Sequence, residues 1–240
     1  MPLRTRRLHR FLTDRRSGAA ELAQAALAIM DDARGRDATP AELERLGRRL
    51  CRAHATMASV WNAVHTTEPA AFARALRRDM RATVRTARQH FPSRAVVLTL
   101  SYSSTVLAAL SRRDLRVVVA ESLPGGEGRT TARRLSREGV RASIVQDTMI
   151  AVAAERAHCG AVGADAVTPD AVINKVGTRL LALACREAGI PCYVLADSSK
   201  FVSSDWPQPD LARHRLFEAT PLPLFTAVLS GRAAETGSAV

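Results

Sequence analysis

Apolar residues recur at helical spacing through the first ninety positions. Leu22, Ala26, Ile29 and Met30 share one helix face. Thr39-Pro40-Ala41-Glu42 has the form of an N-terminal capping box with proline at the first helical position. Leu43, Leu46, Leu50 and Met57 read as the apolar stripe of the helix it opens. After Thr67, Phe72, Leu76, Met80 and Val84 recur every four residues, while Arg74, Arg78, Arg81, Arg85 and Arg88 fall off that stripe. Phe91-Pro92-Ser93 ends the pattern.

Beyond Pro92 the period changes. Residues 95–100, 115–120 and 142–145 are short β-branched runs that read as buried parallel strands, followed by a weaker run at 161–163 and a clearer one at 192–195. Helical segments are predicted near 105–112, 129–138, 148–157, 175–188 and 221–229. This alternation predicts an α/β protein, with a helical domain over 1–92 and a parallel-sheet domain over 93–240 that carries the ligand site. In such sheets ligands bind beyond the carboxyl ends of the strands.

Composition adds limits. The core is aliphatic, with 47% hydrophobic residues but only 4% aromatics. Cys51, Cys159, Cys185 and Cys192 lack metal-ligand or disulfide-framework spacing, and the six histidines are scattered, so neither a metal nor a cofactor is expected. Residues 95–111 are uncharged, but the polar run at 101–105 interrupts them before they reach spanning length. A cytoplasmic protein without a membrane segment is expected. Residues 1–92 hold 18 arginines against 9 acidic residues, and nucleic acid is therefore a third candidate partner. The arginines lack interleaved aromatics for base stacking, which favours the plainer reading of solvated helix faces.

The strand ends carry the unusual residues. Ser101, Ser103 and Ser104 follow the first strand, without the context of a nucleophile elbow. The second strand leads into Pro124-Gly-Gly-Glu127-Gly128-Arg129, a loop able to cradle an anion, though it is more often a plain turn. Asp165 is an acid/base candidate beside its plainer role as a loop cap. Asn174-Lys175-Val-Gly177-Thr178 is expected to open a helix whose free N–H groups and dipole suit a phosphate. Only two of the 35 basic residues are lysines, Lys175 and Lys200, and both fall in these segments.

In their order, Glu121 through Gly128, Asp147, Gly163-Ala-Asp165, Asn174 through Thr178, Ser199-Lys-Phe201 and Phe217 through Pro221 resemble the family of initiation factor 2B α/β/δ subunits. That family includes methylthioribose-1-phosphate and ribose-1,5-bisphosphate isomerases. Ser17-Gly18-Ala19 resembles the start of the family's N-terminal helices. The resemblance implies a helical domain before a Rossmann-like domain, and a homodimer or higher homo-oligomer. In the isomerases a cysteine and the aspartate of Gly-Ala-Asp move a proton between C2 and C1. Here Asp165 matches the aspartate and Ser101 stands at the cysteine position, a far weaker acid/base than a thiol. The first expectation is thus a protein that binds a phosphorylated small molecule, a sugar phosphate or nucleotide, in a regulatory role. An aldose-ketose isomerase is the alternative. Asp165 and Ser101 are the candidate catalytic pair. Ser103, Ser104, Glu127, Gly128, Arg129, Asn174, Lys175, Gly177 and Lys200 are the candidate ligand contacts.

Overall fold

The structure, a computed structural model, describes residues 3–14, 17–202, 206–231 and 235–236. Five helices come first: α1 (Leu3–Thr13), α2 (Ala19–Arg34), α3 (Pro40–Ala53), α4 (Ala58–His65) and α5 (Pro69–Gln89). Helix α3 starts where the capping box predicts. Glu42 donates its N–H to the Thr39 hydroxyl at 3.4 Å, and the Glu42 carboxylate accepts the Thr39 N–H at 2.9 Å. The stripe does not run on to Met57. The chain breaks at His54, and Met57 instead precedes α4 as its N-cap.

The second half alternates as expected: β1 (Val96–Leu100), α6 (Ser104–Leu110), β2 (Arg116–Ala120), α7 (Glu127–Arg137), β3 (Arg141–Val145), α8 (Ile150–Ala154) and β4 (Cys159–Gly163). Then come β5 (Ala166–Val167), β6 (Ala171–Lys175), α9 (Thr178–Glu187), β7 (Cys192–Leu195), β8 (Phe217–Pro221), β9 (Ala227–Leu229) and β10 (Glu235–Thr236). The main sheet runs β10-β9-β7-β4-β1-β2-β3, parallel except for β10. Its order reverses between β1 and β4, the crevice where doubly wound sheets bind ligands.

Two expectations fail here. Residues 221–229 are not a helix. Pro221 and Pro223 deny it amide donors, and Ala227–Leu229 is a fully buried strand beside β7, whose continuous apolar run hides its period. Asn174 and Lys175 do not open a helix either. They end β6, the middle strand of a separate antiparallel sheet ordered β5-β6-β8. The β5–β6 hairpin turns at Thr168, whose hydroxyl accepts the Ala171 N–H at 3.0 Å.

Apolar clusters fill both faces of the main sheet, and a third packs α1 to α5 together. Helix α5 serves two of them. Leu76 and Met80 enter the helical cluster, while Val84 and Ala87 enter the sheet cluster. The helices thereby sit against the sheet. Removing the cap at α3 tests the local account: Thr39→Ala should lower stability by about 1 kcal/mol in urea denaturation.

Candidate functional site

Strand β1 delivers Ser101 in a left-handed backbone conformation, φ 58°. Two bonds hold it there: its N–H donates to the Ser122 hydroxyl at 2.6 Å, and its carbonyl accepts from the Thr131 hydroxyl at 2.6 Å. Ser103 caps α6 by accepting the Val106 N–H at 3.4 Å. Strand β4 leads to Asp165. Its N–H bonds the Ile173 carbonyl of β6, and its own carbonyl accepts the Ala58 N–H that opens α4.

Both lysines are buried at this rim. The Lys175 ammonium pairs with the Glu127 carboxylate at 2.5 Å, and the second Glu127 oxygen is buried without a donor. Lys200 rides on a single 3-10 turn after β7 and donates to the Ala164 carbonyl at 2.7 Å. That turn is held from several sides. Asp197 accepts the Ser199 N–H and hydroxyl, Asn62 of α4 donates to the Ser199 and Phe201 carbonyls, and Asp79 of α5 accepts the Ser198 hydroxyl.

A recess of about 80 Å³ brings together Ser101, Ser103, Ser104, Glu127, Asp165, Asn174, Lys175 and Lys200. It thus unites most of the residues picked out by sequence. Three others stand elsewhere. Gly128 is packed against strand β2, where an added methyl would sit 1.9 Å from the Ala120 carbonyl oxygen. Arg129 points outward in an ion pair with Glu121 at 2.7 Å. Gly177 is the left-handed N-cap of α9, φ 99°, and shapes a turn. The expected phosphate seat at that helix start is taken, because the Glu218 carboxylate accepts the Arg179 N–H at 2.9 Å. Asp147 is also structural, accepting the N–H groups of Ser122 and Leu123.

A different helix start faces the recess. Ser17, Gly18 and Ala19 at the head of α2 line it, together with Tyr102, Met57 and Phe217. Sequence carried a signal for Ser17, Gly18, Ala19 and Phe217, through the family resemblance. One carboxylate already works at this end: Glu21 accepts the Gly18 N–H at 2.9 Å.

Withdrawal from water pushes the Asp165 carboxyl up to about 6, against the lowering effect of the Lys200 and Lys175 ammoniums, and Glu127 adds to the rise. No thiol shares the recess. Cys159 and Cys192 begin β4 and β7, at the opposite end of the strands; burial and then the Cys185 thiol raise Cys159, and a hydrogen bond with Cys185 and then burial raise Cys192. The described residues contain no group of three His, Cys, Asp or Glu that could hold a metal, and no helix long and apolar enough to cross a membrane. Most α5 arginines are exposed, whereas Arg88 caps carbonyls at the end of α6.

This is an α/β architecture with a polar, lysine-bearing recess at the strand-order reversal, walled by the N-terminal helices. The chain belongs to the Initiation factor 2 subunit family, whose profile matches residues 66–215. It is 40% identical over 112 residues to the putative translation initiation factor eIF-2B subunit 2-like protein of Pyrococcus horikoshii, covering 44% of this chain and 41% of that protein. It is 32% identical over 111 residues to the ribose 1,5-bisphosphate isomerase of Archaeoglobus fulgidus, covering 44% and 36%. The matched part therefore spans about two-fifths of the length of these curated relatives. Among solved structures, the translation initiation factor eIF-2B of P. horikoshii OT3 aligns with TM-score 0.87 at 24% identity over 98% of both chains. The tetrameric eIF2B-beta2-delta2 complex from C. thermophilum aligns with TM-score 0.76 at 17% identity, covering 97% of this chain and 90% of that one.

Two predictions follow from the site's energetics. A carboxyl whose folded pKa is raised stabilises fully below its unfolded value of about 3.8, and that contribution is lost as pH climbs through about 6. Asp165→Asn should therefore be more stable than the parent at pH 7–8, by on the order of 1–3 kcal/mol, with the gap closing below pH 4. Thermal melts across pH measure it. Gly128→Ala should cost about 1–3 kcal/mol in urea denaturation, since backbone on both sides of the contact prevents relief.

Proposed function

We propose that this chain binds a phosphorylated sugar in the recess between the head of α2 and the carboxyl ends of β1, β4 and β6. The observation that carries the reading is the convergence of two buried ammoniums, Lys175 and Lys200, with Asp165 and the serines of β1 and α6. The first N–H groups of α2 add partial positive charge for a phosphate. A sugar hydroxyl would supply the donor that the second Glu127 oxygen lacks. Binding needs no thiol, so the serine at position 101 is no obstacle to a regulatory role of the kind suggested by relatives named initiation factor subunits.

A second reading is isomerisation of an aldose 1-phosphate, the activity named for the A. fulgidus relative. The raised Asp165 carboxyl favours it, because a base near neutrality is suited to moving a proton between C2 and C1. Self-association is part of the proposal. Met149, Val152, Leu180 and Leu183 expose apolar side chains on or next to the adjacent helices α8 and α9, a face suited to a second copy.

Calorimetric titration with ribose 1,5-bisphosphate tests binding. Lys175→Gln should weaken affinity at least ten-fold, and affinity indifferent to Lys175 sinks the assignment. In D₂O, solvent deuterium appearing in a ketose product, and vanishing in Asp165→Asn, would establish the isomerase reading. No exchange beside normal binding leaves the non-catalytic one.

A further inference from the structure

The recess is small beside the ~300–1,000 Å³ of ordinary small-molecule sites. It does not end at its own walls. A cavity of about 460 Å³ adjoins it and shares Ser17, Glu127, Lys175 and Phe217. A third, of about 290 Å³, adjoins the second and shares Arg52, His54 and Ala55. Met57 borders all three.

The chemistry changes along this path. The middle cavity is lined by Arg52, Arg213 and Arg215, with His54 and His214 among them. Arg213 is held by Asp210 at 3.1 Å, while Arg52 and Arg215 make no ion pair among the described residues. The carboxylates on its walls are both engaged, Asp14 by Ser17 and Glu127 by Lys175. The end cavity is apolar and aromatic, formed by Trp61, Trp206, Pro207 and Pro209, with Arg48 and Arg52 beside them. The Trp61 indole is fixed by contact with the His65 ring, centroids 3.8 Å apart.

A polar sugar recess, an arginine-lined chamber and an indole-walled slot, in that order, match a sugar, a diphosphate and a planar base. Guanidiniums suit phosphate oxygens, and aromatic walls suit a base of any sequence identity. We propose that the ligand is a nucleoside diphosphate sugar, with its base against Trp61, its base-side phosphate on Arg52, its sugar-side phosphate where Ser17 and Lys175 border both cavities, and its terminal sugar in the recess. This rests on the sugar-binding reading above and extends it outward.

ADP-ribose and ribose 5-phosphate are the probes, titrated calorimetrically into the full chain while tryptophan emission is followed. Both tryptophans of the chain line the slot, so emission reports its occupancy. ADP-ribose should bind at least ten-fold more tightly than ribose 5-phosphate and alone should change the emission. Arg52→Gln, at an exposed position, and Trp61→Leu should each weaken ADP-ribose about ten-fold and leave ribose 5-phosphate unchanged. Equal affinities, or ADP-ribose binding indifferent to Arg52, would overturn the extended ligand and leave the sugar site standing. Binding of neither probe would overturn both.

Discussion

A buried ammonium must be paired, and this chain buries its only two lysines at one place. Lys175 is neutralised by Glu127 at the head of α7, and Lys200 is held by the Ala164 carbonyl at the end of β4. These two bonds join β6, α7, β4 and the turn after β7 around a single point. The recess exists because the groups that satisfy the lysines also keep their charges from being covered by apolar side chains. Arginine would not serve as well, since its wider planar head needs more partners than one carboxylate or one carbonyl.

The N-terminal helices complete the arrangement and are not a passive cap. Asn62 and Asp79 reach from α4 and α5 to the turn that carries Lys200, and the first N–H of α4 bonds the Asp165 carbonyl. The head of α2 closes the opposite wall. A rigid shift of the helical layer would therefore move Lys200, Asp165 and the α2 amides together. A protein partner acting on these helices would have a direct mechanical route to the recess.

What could be read from sequence follows the range of each signal. Parallel strands β1, β2, β3, β4 and β7 and the capped helix α3 were legible because their runs and caps are local, whereas β9 was taken for a helix. The α/β order followed from them, and so did the placement of Asp165 and Lys200 after strand ends. The antiparallel sheet was not legible, since β5 has only two residues and β8 pairs with β6 across about forty residues of chain. That one omission moved Asn174 and Lys175 from a helix start to a strand end. It also hid Glu218, which sits opposite Asn174 in the ladder and reaches the first turn of α9. Gly128 and Arg129 looked like ligand contacts because a glycine-rich loop reads the same whether its amides face a ligand or a strand end. Only the approach to Ala120 decides between them.

The serine at position 101 defines what chemistry remains open. A thiol and a carboxylate would divide the two proton transfers of an aldose-ketose exchange between two groups. Here Asp165 is left beside a second carboxyl, Glu127, which Lys175 holds, and burial has moved Asp165 toward neutrality. A single base can remove a proton from C2 and return it to C1 on the same face of an enediol, provided the ring is open and the phosphate is fixed. Under the proposed binding mode, the lysines and the α2 amides would meet the second condition. For the first, ring opening needs a proton donor at the ring oxygen, and the hydroxyl of Ser101 is too weak an acid to act alone. Catalysis therefore turns on whether Asp165, protonated below about pH 6, can serve as that donor before acting as the base. Binding carries no such requirement, and this asymmetry places the ligand-binding role ahead of the enzymatic one.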